Sequence, residues 1–203
     1  MKVDRSRIVD EALRLLNEVG IDGLSTRLLA ERLGVRQPAL YWHFPGKRAL
    51  LAAMNREILA RGQTSRPPRP GEDWRGFLAE DARSFRRALT AYRDGARVHA
   101  GSEPDPDEAG HVEVMLRFLA GAGMAAPSAL QLLIALGRYT VGCVLEEQAA
   151  PAPGTEPTGL DAAAQDRPLL AGALAAYRAG GHEAAFEAGL ALLLDGAAAA
   201  VGS

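Results

Sequence analysis

The segment from residue 25 to residue 48, STRLLAERLGVRQPALYWHFPGKR, constrains the fold of this chain more than any other. Two short amphipathic helical patterns meet at Gly34, a residue type that readily adopts the backbone conformation of a tight turn. The second pattern begins with Gln37-Pro38 and ends in an aromatic cluster: Tyr41, Trp42, His43 and Phe44. This arrangement is typical of a helix-turn-helix that reads DNA with its second helix.

Helical periodicity continues on both sides of this segment. A first helix is expected from Asp4, an N-cap candidate, to Gly20, and a second from Ser25 or Thr26. The third helix is short, with Pro38 in its first turn, and Leu40 and Phe44 can anchor it inward. After the Pro45-Gly46 break a fourth helix runs from Lys47 to about Arg61.

The rest of the chain also shows helical patterns, without strand patterns or internal repeats. Residues 62–71 carry three prolines and form a connection, whereas residues 149–168 predict a flexible loop. The expected helices cover residues 73–92, 96–100, 107–122, 127–148, 168–179 and 182–200. The sequence therefore predicts an all-α protein with a helix-turn-helix domain at 1–61 and a larger helical domain at 62–203.

Charge is divided unevenly between these two parts. Residues 1–61 hold 11 Lys and Arg against 7 Asp and Glu, and residues 62–203 hold 12 against 18. The balance is therefore +4 at one end and −6 over the remainder, although the whole chain carries only −2. A basic domain on an acidic one predicts a polyanionic partner at one end only.

We do not expect this chain to be a membrane protein or an enzyme. No window approaches the run of about 18 apolar residues of a membrane span, and the start lacks an apolar signal core, so a soluble cytoplasmic protein is expected. Cys143 is the single cysteine and is interpreted as a small core residue. We find no Ser/His/Asp arrangement, glycine-rich phosphate loop or paired carboxylates in a convincing context, so we do not expect an enzyme.

If the third helix is a recognition helix, its first residues face the base edges. Gln37 can pair with adenine, Pro38 and Ala39 can touch a thymine methyl, and Arg27 can reach guanine. Tyr41 and His43 can donate to phosphates. Lys47 opposes the dipole of the helix that it begins, which indicates an anion such as phosphate nearby. The alternative is that these charges are merely solvated on a small helical bundle.

The stretch ALRLLNEVGIDGLSTRLLAERLGVRQPALYWHFPGKRALLAAM closely resembles the DNA-binding domain of the TetR family, in particular the tetracycline repressor subclass. The resemblance continues through SFRRAL, AYRDGARVH, RFL and TVGCVLEEQ, and more weakly through the final helices. It implies an all-helical homodimer whose C-terminal domain binds an inducer and sets the separation of two reading heads. It also implies DNA contacts from Thr26, Arg27, Gln37, Pro38, Ala39, Tyr41, Trp42, His43 and Lys47.

Dimerisation has a separate argument from the sequence. The helix at 127–148 is apolar on nearly every side, and with the Ala- and Leu-rich final helix it exceeds what one small domain can cover. A twofold partner would cover the surplus, which predicts an isologous interface and a near-palindromic operator. The alternative is that these faces pack within one subunit.

The resemblance also implies a ligand site that takes a drug chelated to a divalent cation such as Mg²⁺. His99 matches the metal-ligating histidine of the family, and Glu146 matches the acid that reaches a metal-bound water. Phe85 and Pro104 match residues that line the drug site. Four positions depart from the family: Gln63 stands for a histidine, Asp81 for an asparagine, Met115 for a glutamine and Glu103 for an arginine.

These departures have a direction. Asp81, Glu103 and Glu146 would make the site more acidic, which favours a cationic ligand or a more tightly held divalent ion. The alternative is that Asp81 and Glu103 are solvated and do not affect selectivity. We therefore expect a ligand-responsive repressor released by a tetracycline-like or other chelated antibiotic. A different inducer class, or a constitutive DNA-binding protein with a vestigial pocket, remains the alternative.

Overall fold

The computed structural model describes residues 3–63, 66–102, 108–150 and 159–201, and within these ranges the chain is helical without strands. The all-α prediction is confirmed. The helices are α1 (Arg5–Gly23), α2 (Thr26–Leu33), α3 (Pro38–Tyr41), α4 (Lys47–Gly62), α5 (Trp74–Thr90), α6 (Gly95–Ala100), α7 (Glu108–Gly121), α8 (Ala126–Ala149), α9 (Gly159–Ala164) and α10 (Pro168–Val201). They fall into two compact units, Met1–Gln148 and Ala149–Ser203.

The first helix begins as the sequence predicts and ends later. The Asp4 side chain caps α1 by accepting a hydrogen bond from the Arg7 N–H at 2.8 Å. At Gly20 the backbone turns to φ 72°, so that α1 is kinked there and continues to Gly23. The prediction that the helix ends at Gly20 was wrong because glycine here bends the helix instead of terminating it.

The helix-turn-helix forms with the predicted local signals. Ser25 caps α2 by accepting from the Leu28 N–H at 3.2 Å, and Gly34 ends the helix in the left-handed conformation. The next N–H, that of Val35, donates to the Ala30 carbonyl at 3.0 Å, which closes the turn. Leu40 and Phe44 are buried and anchor the short helix α3 as expected.

One hydrophobic core extends from the helix-turn-helix into the next helices. Leu15 of α1, Leu29 of α2, and Met54 and Ile58 of α4 have no exposed side-chain surface. They share a buried cluster with Leu89 of α5 and with Ala96 and Val98 of α6. We call the helices α1 to α3 the reading head. Helix α4 therefore packs against α1 of the reading head with one part of its length and against α5 and α6 with another.

Helix α8 has two apolar faces with different environments. By length and composition it is long and apolar enough to span a membrane, although Gln131 and Arg138 interrupt its apolar run. One face is buried within the protein, through Ala129, Leu132, Leu136, Thr140 and Val144. On the other face Leu130 and Ile134 are 40% and 43% exposed in the single chain. The buried face identifies α8 as a core helix, and the exposed apolar face requires a partner surface.

The second unit contains α9 and α10. Helix α9 occupies Gly159–Ala164, inside the range that the sequence predicts to be a flexible loop, so that part of the prediction was wrong. The prediction rested on the Ala, Pro and Gly content of residues 149–168, and composition alone does not distinguish a loop from the short helix GLDAAA. Helix α10 is interrupted at Gly181, where φ is 67°, close to the predicted break between the last two helices.

Gly95, at the start of α6, tests the packing between α5 and α6. A Cβ atom at this position would overlap the carbonyl oxygen of Leu89, which is backbone and cannot move aside. We expect Gly95→Ala to lower the free energy of unfolding by about 1–3 kcal/mol, measured by urea denaturation. Gly110→Ala, on the exposed side of α7 with no atom near the added methyl, should be neutral or stabilising by up to about 1 kcal/mol. Equal effects of the two substitutions would contradict the packing argument.

Candidate nucleic-acid interface and ligand site

The side chains that the sequence predicts to touch DNA lie at the start of α2, in and around the short helix α3, and at the first residue of α4. Trp42 is 90% exposed, and Arg27, Pro38, Tyr41 and Lys47 are exposed as well. The remaining predicted contacts are half-buried: Thr26, Gln37, Ala39 and His43. A tryptophan this exposed gains nothing from packing within the chain, which is consistent with a surface that is covered by a partner.

The side chain of Gln37 is held in place before any DNA is present. Its Nε2 donates to Thr26 Oγ1 at 2.9 Å and to the Tyr41 hydroxyl at 3.3 Å. These two bonds join the first turn of α2 to α3 and fix the amide plane of Gln37. The sequence placed the three residues on one surface, but it did not indicate that they hydrogen-bond to one another.

Lys47 has a partner inside the protein. Its Nζ donates to the Ile21 carbonyl at 3.3 Å, just after the kink in α1. The cation at the start of α4 is therefore explained without an anion, and the argument from the helix dipole no longer requires a phosphate. The exposed side chain still lies at the edge of the reading surface.

The kink in α1 is also the place where the reading head meets the turn between α5 and α6. The Ile21 N–H donates to Asp94 Oδ2 at 2.8 Å, and the Arg93 N–H donates to Asn17 Oδ1 at 2.9 Å. Arg97 forms a two-pronged ion pair with Asp22, with both distances 2.8 Å. Asp94 adopts the left-handed conformation, φ 56°, in which it reaches the head.

The predicted metal ligand His99 lies on α6, half-buried between α4 and α5. Its Nδ1 is 3.1 Å from Oδ1 of Asn55 on α4, and its ring meets the Phe85 ring edge to face at a centroid distance of 5.1 Å. Burial lowers the pKa of His99, which favours the neutral imidazole. Sequence reasoning missed Asn55 because a single asparagine in an amphipathic helix has no motif around it.

Two of the residues that depart from the family pattern are in contact. The Gln63 amide at the end of α4 donates from Nε2 to Asp81 Oδ1 of α5 at 3.3 Å. Burial raises the pKa of Asp81, while the hydrogen bond from Gln63 and the charge of His111 oppose that rise. Met115 of α7 is buried. Glu103 and Pro104 lie outside the described residues, so their predicted roles have no structural account.

The end of α8 is attached to α5, to α6 and to the turn between them. Arg86 pairs with Glu147 at 2.8 Å, and Gln148 accepts from the Ala96 N–H at 3.3 Å while it donates to the Tyr92 carbonyl at 2.8 Å. The predicted Glu146 is exposed on this helix, and no described contact joins it to His99. These attachments bring α8 to the same turn that contacts the reading head.

A metal-chelated inducer fits His99 better than a metal held by the protein alone. Within the described ranges, no group of three or more His, Cys, Asp or Glu side chains could hold a metal ion. His99 offers one neutral ring nitrogen, Nε2, because Nδ1 is engaged with Asn55. The protein would therefore supply a single direct ligand, and the remaining coordination positions would be left to a chelating ligand and water.

Two family models match the chain. Residues 8–54 match the bacterial regulatory proteins of the tetR family, and residues 67–201 match the tetracyclin repressor-like C-terminal domain. The first match includes the predicted DNA contacts, and the second includes His99, Asp81 and Met115. Together they span most of the chain.

Known proteins of similar sequence and fold support the same assignment. The class A tetracycline repressor from transposon 1721 of Escherichia coli is 51% identical over 197 residues, which cover 97% of this chain and 91% of that protein. The class C repressor of Escherichia coli is 49% identical, with coverage of 96% and 90%. These relatives are named as repressors, which are not enzymes.

Solved structures match over nearly the whole chain. TetR from Acinetobacter baumannii AYE has a TM-score of 0.82 at 44% identity and covers 100% of both chains. Class A TetR, in complex with 5a,6-anhydrotetracycline and magnesium, has a TM-score of 0.73 at 46% identity and covers 94% of this chain and 95% of its own. The chain therefore belongs to the TetR family of bacterial regulatory proteins, and it is a ligand-responsive repressor that binds operator DNA as a dimer.

Proposed function

We propose that this repressor is cytoplasmic and non-catalytic, and that a tetracycline-like molecule bound together with Mg²⁺ releases it from its operator. The observation that carries this proposal is the arrangement around His99, a half-buried histidine on α6 that is hydrogen-bonded to α4. The class A relative, which binds anhydrotetracycline with magnesium, supports it. In this proposal residues 1–61 form the DNA-binding domain, and residues 62–203 bind the inducer and form the dimer.

The bound cation would lend charge to a chelating ligand and leave one coordination position for a protein nitrogen. The residues of the chain would do the rest. His99 Nε2 would be the ligand, with Phe85 packed against the ring, and Glu146 would act through a water molecule. The other predicted inducer contacts are Gln63, Asp81, Glu103, Pro104 and Met115.

The contacts between helices give a route from this site to the DNA. His99 lies on α6, and the turn before α6 holds the kink of α1 through Asp94. Helix α4 shares its core with both parts. A shift of α6 on inducer binding would therefore move α4 and change the separation of the two heads in the dimer. The predicted DNA contacts would then leave the grooves of the operator: Thr26, Arg27, Gln37, Pro38, Ala39, Tyr41, Trp42, His43 and Lys47.

A cationic inducer is the second candidate, and Asp81 favours it. Its carboxyl group is half-buried and is hydrogen-bonded to the neutral amide of Gln63. A half-buried carboxylate that is hydrogen-bonded to a neutral amide gains free energy from a positively charged ligand. The amine of a chelating antibiotic and a non-chelating cation would both satisfy it, so Mg²⁺ dependence distinguishes the two candidates.

Gln37→Ala tests the reading surface. The substitution removes the side chain that is held by Thr26 and Tyr41, so discrimination at one base pair of each half-site should fall by about 1–3 kcal/mol. Fluorescence anisotropy on operator variants, substituted one base pair at a time, measures this loss. Gln165→Ala, an exposed glutamine outside the head, is the matched control and should leave the profile unchanged. An equal loss of affinity on all DNA sequences would contradict base readout by Gln37.

His99→Ala tests the metal role. If His99 is the direct ligand, the variant should lose the Mg²⁺ dependence of operator release by tetracycline. Release is followed by anisotropy with Mg²⁺ or with a chelator in the buffer. His182→Ala replaces an exposed histidine of α10 and should respond as the unsubstituted protein does. An induction curve that is indifferent to Mg²⁺ before any substitution would also exclude this role.

The combination of Gln63→His, Asp81→Asn and Met115→Gln restores the family's hydrogen-bonding side chains. Each regained bond contributes about 0.5–1.5 kcal/mol, so the concentration of tetracycline for half-maximal release should fall by about tenfold or more. The measurement is a titration of operator release with tetracycline and Mg²⁺. Asp81→Asn alone should weaken the response to a cationic inducer. No change in the triple variant would show that these positions do not contact the ligand.

A further inference from the structure

Asn55 is a buried polar residue on the otherwise apolar buried face of α4. Its side chain is only 6% exposed, and the neighbouring core residues Met54 and Ile58 are fully buried. A buried amide costs free energy unless it is hydrogen-bonded, so an aliphatic side chain would be cheaper at this position. The partner of Asn55 is His99, with 3.1 Å between Asn55 Oδ1 and His99 Nδ1.

The atoms of this bond determine which nitrogen of His99 carries the proton. A side-chain amide oxygen can only accept, so His99 Nδ1 is the donor. A neutral imidazole has one N–H, and therefore Nε2 keeps its lone pair. The edge-to-face contact with Phe85 on α5 restricts the rotation of the ring that would exchange the two nitrogens.

We propose that Asn55 is a positioning residue, which holds His99 in the Nδ1–H tautomer and presents the lone pair of Nε2 to a divalent cation. The proposal deepens the function proposed for the ligand site and rests on it for the identity of the cation. Histidine ligands of metals are commonly fixed in this way by an acceptor on the other ring nitrogen. A neutral amide orients the ring without adding a charge that would favour the imidazolium form.

The same bond joins α6, which carries His99, to α4, which packs against the reading head. Asn55 lies eight residues after Lys47, the first residue of α4, and that helix begins beside the head. The ring of His99 cannot move toward a ligand without carrying or breaking its bond to α4. Asn55 is therefore placed to transmit a displacement of His99, in addition to setting its tautomer.

Nitrogen-15 NMR of the dimer, with the histidine rings labelled, tests the tautomer without any metal. At a pH where His99 is neutral, the correlations of its ring should show the proton on Nδ1. His99→Gln identifies the resonance. The Nε2–H form in the unsubstituted protein would overturn the proposal, whatever the variants do.

Two substitutions at position 55 separate positioning from structure. Asn55→Leu removes the acceptor and should allow the Nε2–H form, and Asn55→Asp keeps an oxygen at the same place and should preserve Nδ1–H. Binding of Mn²⁺ with tetracycline, read by electron paramagnetic resonance, should weaken by about 10–100-fold in the leucine variant and recover in the aspartate variant. Equal weakening in both, with unchanged tautomers, would show that the residue is only structural.

The outcomes distinguish this proposal from the proposed function on which it rests. If His99 is Nδ1–H and depends on Asn55, but Mn²⁺ binds equally well to the unsubstituted protein and to His99→Gln, the metal role fails. If Mn²⁺ binding requires His99 and the proton lies on Nε2, the role of Asn55 fails and the metal role stands. A thermal melt of each variant checks that it is folded.

Discussion

The packing of α4 is the constraint on which the rest of the structure depends. Met54 and Ile58 are completely buried in a cluster that contains Leu15 of the head and Leu89 of α5. At the end of the helix Gly62 lies so close to Ala88 that a Cβ atom would be 2.6 Å from its Cα atom. Because close-packed helices resist small adjustments, α4 cannot shift against one neighbour while it stays fixed against all the others. The reading head and the helices α5 and α6 are therefore mechanically joined through α4.

Polar contacts between α1 and the start of α6 orient the reading head more than they stabilise it. The ion pair of Arg97 with Asp22 is exposed, and water screens such pairs so that they contribute little to stability. The bond from the Ile21 N–H to Asp94 differs in kind, since the kink at Gly20 is where the head presents this N–H to the turn between α5 and α6. Asp94 accepts from it only in a left-handed backbone conformation that costs free energy. The turn before α6 is thus matched in shape to the bend in α1.

Sequence reasoning succeeded where the determinants are local. The caps at Asp4 and Ser25, the turn at Gly34 and the short third helix with Pro38 each depend on a few neighbouring residues. It failed where distant residues decide. The roles of Asn55 and Asp94 depend on hydrogen-bond partners that lie 44 and 73 positions away in the chain. The kink at Gly20 and the helix at Gly159–Ala164 were missed because composition alone does not separate a bend from an end, or a short helix from a loop.

Two positions that depart from the family pattern, Gln63 and Asp81, lie outside the buried cluster around α4. Met54 and Ile58 belong to a buried cluster that also contains residues of α1, α2, α5 and α6, so a change at either would disturb the reading head and the helices α5 and α6 together. Gln63 and Asp81 are half-buried and meet each other at the end of α4. If these residues contact the inducer, as we propose, a substitution there would alter what the site binds and would leave the packing between α4, α5 and α6 intact. Selectivity for the inducer can therefore change while the DNA-reading segment and its mechanical connection are retained.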